Sequence, residues 1–265
     1  MKKKLFSIIL SFIMAATMMP IMTSTAFAVE GRGFEGDPWI LGGDARTTRV
    51  LKAYLAGSKL TITGTGTADL IRTEDEVPWN DKRDKIVNVV IDEGVRQVPN
   101  YAFTDCANIK SIKLPSTIAS IGVHAFENCT GLRDINIPKG LGAMPGTAFM
   151  GCSSLAYITV DPDNSKYTVV DGVLYDKSMQ KLIKYPAKKA GTSFTIPSSV
   201  KTIDLYAFEG NENLQKIVFP KELGSLSIST SAFSNCKNLA TLVFETSNVP
   251  TLSSTAFRGC SLKEI

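Results

Sequence analysis

The chain has 265 residues, of which 44% are hydrophobic and 20% are charged, with 29 basic residues against 25 acidic ones. These proportions are ordinary for a globular protein and exclude both a wholly disordered chain and a polytopic membrane protein. Three of the basic residues, Lys2, Lys3 and Lys4, lie at the very start, and without them the chain is close to neutral. No basic run elsewhere resembles the charged footprint of a nucleic-acid binder, so we expect no nucleic-acid partner.

Residues 1–28 have the three parts of a secretory signal peptide. The lysines precede an uncharged apolar run from Leu5, and Ala26-Phe27-Ala28 supplies the small residues of a cleavage site. An uncleaved membrane anchor is the alternative, because the next charge is Glu30. Pro20 interrupts the run and favours cleavage near Ala28. We therefore predict a secreted or cell-surface protein with no membrane span after cleavage.

Residues 29–84 show no repeat. Between Val50 and Gly64, two segments with alternating apolar residues flank Gly57-Ser58, a pattern that predicts a β-hairpin. We interpret this region as a small β cap that covers the start of the following region, with Trp39 and Trp79 helping to close it.

Residues 85–265 repeat a short unit. The dipeptide Ala-Phe marks it and recurs at intervals of 23, 23, 59, 25 and 24 residues, at 102–103, 125–126, 148–149, 207–208, 232–233 and 256–257. The long interval can hold one repeat enlarged by an insertion. Before the loop that leads to Ala-Phe, the pattern L-x-x-I-x-I-P, as in residues 132–138, predicts a half-buried strand closed by proline. The Ala-Phe segment itself is long enough for only a turn or two of helix.

One strand and one helical turn cannot bury their apolar faces alone, whereas stacked copies share a continuous core. We therefore predict a solenoid of the α/β, β-rich kind, with parallel strands on the concave side and short helical turns on the convex side. An insertion at about 161–190 contains Asp171-Gly172 between apolar residues, which is a strong hairpin signal.

Two stretches, residues 121–129 and 195–203, closely resemble the BspA-type leucine-rich repeats of bacterial surface proteins. In that family I-P-x-x-V-x-x-I-G-x-x-A-F-x-x-C recurs about every 23 residues, and the resemblance extends over residues 85 to 265. It implies a leucine-rich-repeat solenoid, hairpin insertions of the kind predicted here, and contact with proteins of a host or neighbouring cell.

When the repeats are aligned on Ala-Phe, two columns of residues predict a structural ladder inside the solenoid. One column is aromatic and comprises Phe103, Phe126, Phe149, Phe208, Phe233 and Phe257. The other, three residues later, comprises Cys106, Cys129, Cys152, Cys236 and Cys260, with Asn211 in the remaining repeat. Because each cysteine has the same place in its repeat, we predict buried free thiols. At least one disulfide, or a metal or catalytic role, is the less favoured alternative, since the C-x-x-C spacing of zinc sites is absent.

We expect no catalytic residue, no cofactor and no metal site. His124 is the one histidine and lies in a variable, mostly polar column, so we expect it to face solvent. Asp161, Asp163 and Asn164 crudely resemble a calcium loop, but Pro162 and the missing downstream glutamate break the EF-hand pattern and favour a turn. An exported hydrolase is the least favoured function, because nothing in the sequence brings two acids to face one another across a cleft.

The strand positions that point away from the core predict a binding surface, because stacking aligns them in stripes. The early repeats contribute basic and polar residues to it and the later ones mostly neutral residues. The predicted surface comprises Asn88, Val90, Lys110, Ser111, Lys113, Arg133, Asp134, Asn136, Tyr157, Thr159, Lys216, Val218, Thr241 and Val243. It lacks the aromatic rows of a glycan platform, so we expect an extracellular protein as partner and a glycan less so. A face without a ligand, on a passive scaffold that presents a further domain, is the alternative.

Overall fold

The computed structural model describes residues 33–43, 50–68 and 71–263. The predicted signal peptide, residues 1–28, lies outside the described residues. Within the described ranges, three short 3-10 helices occur, at Glu74–Glu76, Asn80–Lys85 and Gly146–Phe149. The strands, in chain order, are β1 (Trp39–Gly43), β2 (Val50–Ala56), β3 (Lys59–Gly64), β4 (Asn88–Ile91), β5 (Gln97–Val98), β6 (Ser111–Ile112), β7 (Ser120–Ile121), β8 (Asp134–Ile137), β9 (Tyr157–Val160), β10 (Tyr167–Val170), β11 (Val173–Asp176), β12 (Lys181–Lys184), β13 (Ser193–Thr195), β14 (Thr202–Ile203), β15 (Lys216–Phe219), β16 (Ser227–Ile228), β17 (Thr241–Phe244) and β18 (Thr251–Leu252).

The N-terminal cap is a four-stranded sheet in the order β1-β2-β3-β4. β2 and β3 form the predicted antiparallel hairpin, and Gly57 has a positive φ of 62° in its turn, a conformation that glycine adopts without strain. β3 then pairs in parallel with β4, the first strand of the repeats. Trp79 is fully buried beneath the sheet, 5.7 Å from the ring of Trp39, and its Nε1 donates to the carbonyl of Ala102 at 2.7 Å. The cap is therefore joined to the repeats by backbone pairing and by this buried contact.

The repeats stack as a solenoid of about seven turns, which confirms the predicted fold class. The turns contribute strands to two ladders. The first-strand ladder comprises β4, β6, β8, β9, β13, β15 and β17, and the second-strand ladder comprises β5, β7, β12, β14, β16 and β18. Ladder strands that share a sheet pair in parallel with a step of one repeat, as in Ser111 opposite Asp134 and Asp134 opposite Tyr157. The repeat length thus sets the register between neighbouring strands.

Side chains alternate along the strands of the first-strand ladder. In β8, Asp134 and Asn136 are exposed, whereas Ile135 and Ile137 are buried. This period of two is that of a strand with one face on the core and one in solvent. The exposed positions of successive strands therefore form rows across the ladder.

The Ala-Phe segments are tighter than the helical turns expected from the sequence. Only the segment at Gly146–Phe149 is helical, and it is a single 3-10 turn. In the other turns, residues such as His124 and Asn128 have φ near 54°, which a right-handed helix does not allow. Asparagine, aspartate and glycine occupy the position before the cysteine column because they tolerate this conformation best.

The phenylalanines stack along the interior. Phe126 lies 5.3 Å from Phe103 and 5.4 Å from Phe149, ring centroid to ring centroid, with nearly parallel planes. Phe233 lies 4.4 Å from Phe208 and 4.8 Å from Phe257. All are buried except Phe257, which is half-buried in the last described turn. Phe103, Phe126 and Phe149 thus form one stack, and Phe208, Phe233 and Phe257 form a second.

The insertion divides this core. β10 and β11 form a hairpin through Asp171 and Gly172, and β12 returns antiparallel to β11 before it joins the second-strand ladder. Alternate side chains of β11 point in opposite directions: Leu174 packs with the N-terminal core cluster, whereas Val173 and Tyr175 pack with the C-terminal one. Strands β11 and β12 therefore form a partition between two hydrophobic clusters.

Candidate functional site

The predicted binding surface lies along the first-strand ladder. From Asn88 to Lys216 all of its residues are exposed, whereas Val218, Thr241 and Val243 are half-buried. The N-terminal half of the face is thus the more accessible half.

A basic group, defined here as Lys110, Lys113 and Arg133, lies on this half. The backbone N–H of Arg133 donates to the carbonyl of Lys110 at 2.8 Å, so the two side chains start from adjacent strands. Within the described ranges, no carboxylate forms an ion pair with any of the three. Asp134 is the acidic residue of the same rows, and the group therefore presents net positive charge to solvent.

Tyr157 stands beside the basic group and is 71% exposed, the most exposed aromatic side chain among the described residues. It is opposite Asp134 in the ladder. Next to it, Asn136 donates to the hydroxyl of Thr159 at 2.8 Å. A large amphipathic ring, several cations and a polar pair therefore lie along one hydrogen-bonded sheet.

The cysteine column is interior. Cys106, Cys129, Cys152 and Cys236 are buried and Cys260 is half-buried, all as free thiols. The Sγ of Cys129 donates to the carbonyl of Phe103, in the preceding turn, at 3.0 Å, and later cysteines repeat this bond. Burial raises the pKa of Cys106 and Cys152 to about 12, which disfavours a reactive thiolate.

Asn211 takes the place of cysteine in its turn and hydrogen-bonds more extensively. Its Nδ2 donates to the carbonyl of Pro186 at 3.0 Å, and its Oδ1 accepts from the backbone N–H of Leu214 at 2.8 Å. The amide thus forms hydrogen bonds both to the preceding turn and within its own turn.

His124 is less exposed than the sequence suggested. Its ring stacks on Tyr101 at 5.3 Å, and its Nδ1 lies 2.8 Å from Oε2 of Glu127, with 27% of the side chain exposed. The sequence did not reveal this stacking, because the column is variable and the stacking partner lies one repeat away. Burial raises the pKa of Glu127.

The segment from Asp161 to Asn164 forms a turn, and its amide is occupied by protein. The buried Asn164 donates to the carbonyls of Pro138 and Leu141 at 2.7 and 3.0 Å, and its Oδ1 accepts from the backbone N–H of Tyr167. No group of three or more His, Cys, Asp or Glu among the described residues could hold a metal ion.

Sequence reasoning missed the deeply buried cation Lys184. Tyr185 stacks on Phe208 at 5.0 Å and so occupies the phenylalanine column of the inserted turn. Lys184 therefore lies in the alanine column, where it is 2% exposed and donates from Nζ to the carbonyl of Tyr206 at 2.8 Å. Burial lowers the pKa of its ammonium group. An alignment that accepted Tyr for Phe would have found it.

The described part of the chain contains no helix that is long and apolar enough to cross a membrane. A family model described as "BspA type Leucine rich repeat region" matches residues 81–190 and 187–265, with six copies. The chain belongs to this family. The BspA-type repeats therefore account for both ladders and for the aromatic and cysteine columns.

Several solved structures are similar to this chain. The pneumococcal vaccine antigen PcpA is 17% identical, with 84% of this chain and 80% of that chain covered and a TM-score of 0.52. A leucine-rich repeat protein from Eubacterium ventriosum is 26% identical, with 80% and 75% covered and a TM-score of 0.48. A leucine rich cell surface protein from Faecalibacterium prausnitzii is 22% identical, with 86% and 82% covered and a TM-score of 0.43. A search of curated proteins gives no significant match.

Proposed function

We propose that this BspA-type chain is an exported, non-catalytic recognition module that binds an extracellular protein through the exposed face of its first-strand ladder. The observation that carries the proposal is the basic group beside Tyr157, exposed and without ion-pair partners among the described residues. Family membership and the signal-peptide pattern of residues 1–28 support export.

The chemistry of this face suits protein recognition. Tyrosine and arginine are enriched among the residues that dominate binding energy, and exposed charges accelerate encounter with a partner of opposite charge. Because the side chains stand on hydrogen-bonded strands, little backbone entropy is lost when a partner docks. We therefore expect a partner with an acidic contact surface, and we expect its affinity to fall as salt rises.

The test is a charge reversal on the face. Lys110→Glu, Lys113→Glu and Arg133→Glu are combined in one variant and probed, beside the natural chain, against arrayed extracellular-matrix proteins, glycans and bacterial surface extracts. The matched control reverses three other exposed lysines, Lys201, Lys221 and Lys237. We expect binding to be lost only in the first variant.

Binding that ignores the first reversal would contradict the choice of face. Binding to no probe would favour the passive scaffold instead. Turnover of a glycan or peptide, abolished when acidic residues are substituted, would revive the hydrolase hypothesis.

Export has its own test. We expect the chain recovered from a bacterial host's medium or surface to begin at Val29, as read by N-terminal sequencing. A chain that retains residues 1–28 in the membrane would contradict cleavage.

A further inference from the structure

A cavity of about 390 Å³ lies where the inserted hairpin meets the second-strand ladder. It is lined by the open end of the hairpin, at residues 165–167 and 176–178, and by residues before and after the hairpin, Gly142, Met144, Lys181, Ile183 and Asp204. A volume of this size is within the range of small-molecule sites, about 300–1,000 Å³. None of its lining residues belongs to the basic group.

Two lysines of the hairpin, Lys166 and Lys177, stand side by side at this cavity. The N–H of Lys177 donates to the carbonyl of Lys166 at 2.7 Å, which extends the pairing of β10 and β11 one position beyond Tyr167 and Asp176. Residues directly opposite one another in an antiparallel pair share a face, with Cβ atoms about 4.5–5.5 Å apart, and like charges in such a pair destabilise it. The hairpin therefore keeps an unfavourable pair of ammonium groups beside a cavity.

No carboxylate neutralises this pair. Lys166 and Lys177 are both exposed, and neither forms an ion pair within the described part of the chain. The third lysine of the cavity, Lys181, has such a partner, because its Nζ lies 2.8 Å from Oδ2 of Asp204.

The two carboxylates of the cavity are occupied by other donors. The second oxygen of the buried Asp204, Oδ1, accepts from the backbone N–H of Leu205 at 2.9 Å. In Asp176, Oδ1 accepts from the backbone N–H of Lys181 at 2.6 Å, and Oδ2 accepts from the hydroxyl of Ser178. Among the described residues, the charged lining is thus three lysines against two aspartates, a net charge of +1. The positive charge that no ion pair holds belongs to the two hairpin lysines.

An anion with close to two negative charges is the ligand that balances both lysines. A phosphate monoester carries about −1.5 to −2 charge at pH 7, and its oxygens are strong hydrogen-bond acceptors. Lysine binds phosphate as a point charge, whereas the described lining holds no arginine, the residue that favours carboxylates by a bidentate contact. Beside the lysines, Met144, Tyr167 and Ile183 supply an apolar wall for the rest of such a ligand.

From these observations we infer that the cavity binds a small phosphate monoester, with its phosphate group between Lys166 and Lys177 and its carbon body against the apolar wall. Binding replaces the repulsion between two ammonium groups with charge-assisted hydrogen bonds from both to one anion. The inference does not rest on the proposed function, since the two surfaces share no residue.

The experiment titrates the purified, isotope-labelled chain with phenyl phosphate and follows amide chemical shifts by NMR, which report both the affinity and the location of binding. Phenyl sulfate has the same carbon body with a single negative charge, and inorganic phosphate has no carbon body. We expect saturable shifts centred on Lys166 and Lys177, and we expect each comparison ligand to bind at least threefold more weakly.

A pair of variants tests the lysines. We expect Lys177→Gln to weaken phenyl phosphate by about three- to tenfold, between the effect of an exposed ion pair and that of a charged hydrogen bond. The matched control, Lys221→Gln, removes an exposed lysine outside the cavity and should bind as the natural chain does. Without ligand, Lys177→Gln should unfold at no lower temperature than the natural chain, because the like-charge pair is relieved.

Four results would overturn the inference: no saturable shift, shifts centred on other exposed lysines, equal binding of all three ligands, or undiminished binding to Lys177→Gln. A lower unfolding temperature for unliganded Lys177→Gln would remove the repulsion on which the site rests. The charge-reversal variant of the basic group should bind phenyl phosphate normally, so the proposed function and this inference fail independently.

Discussion

The aromatic stack predicts that removing an interior ring costs much more unfolding free energy than removing the last ring of the same core cluster. Phe233 is fully buried and stacks on two neighbours, whereas Phe257 is half-buried and stacks on one. Phe→Ala in a core typically costs about 3–5 kcal/mol, which includes the cavity that is left. Each aromatic pair adds about 0.5–1.5 kcal/mol beyond the buried area.

From these values we expect Phe233→Ala to lower the free energy of unfolding by about 4–5 kcal/mol. For Phe257→Ala we expect about 1–2 kcal/mol, since the ring has one stacking partner and leaves an open surface instead of a closed cavity. Phe233→Leu fills most of the volume without stacking, so we expect its loss of unfolding free energy to lie between those of the two alanine variants.

Urea unfolding followed by far-UV circular dichroism measures all three variants against the natural chain. Equal costs for Phe233→Ala and Phe257→Ala would refute the stacking of these C-terminal rings. So would a cost below about 1 kcal/mol for Phe233→Ala, because a buried ring with two neighbours cannot be removed so cheaply.

Three further predictions concern single sites. Because the pKa of Lys184 is lowered in the folded chain, the unfolded chain binds more protons between the two pKa values. Stability should therefore rise with pH in that window by up to about 1.4 kcal/mol per pH unit, and Lys184→Met should lose this slope in urea titrations at several pH values. A Cβ on Gly122 would lie 2.4 Å from Oδ1 and 2.5 Å from the backbone N of Asn100, so Gly122→Ala should cost about 1–3 kcal/mol by thermal unfolding, whereas Gly224→Ala, with open space, should cost little. Cys260 is half-buried and should react first with a thiol reagent at pH 8; simultaneous labelling of all five cysteines in the folded chain would contradict the interior ladder.

The periodic parts of the fold could be predicted because repetition multiplies weak signals. A strand pattern such as residues 132–138 is ambiguous alone, but its recurrence with Ala-Phe determines the register, the stacked rings and the thiol column together. The hairpin before β3 and the one at Asp171-Gly172 followed from local turn chemistry.

The remaining features depend on packing between turns. Lys184 was missed because the inserted turn replaces Ala-Phe with Lys-Tyr, which only the stacking of Tyr185 reveals. The division of the first-strand ladder into two sheets, between β9 and β13, was equally hidden, since the local pattern of both strands is that of any paired strand. In the candidate site, the strand pattern predicted which residues are exposed on the N-terminal half, but not the partial burial of Val218 and Val243.

The partition formed by β11 and β12 allows the two halves of the solenoid to open separately by local unfolding. Leu174 packs on one side of the partition and Tyr175 on the other, so each half of the solenoid has its own cluster of buried apolar side chains. Amide hydrogens of the two halves should therefore exchange with deuterium as two cooperative groups with different opening free energies. Only the amides of the shared strands would report the opening of both.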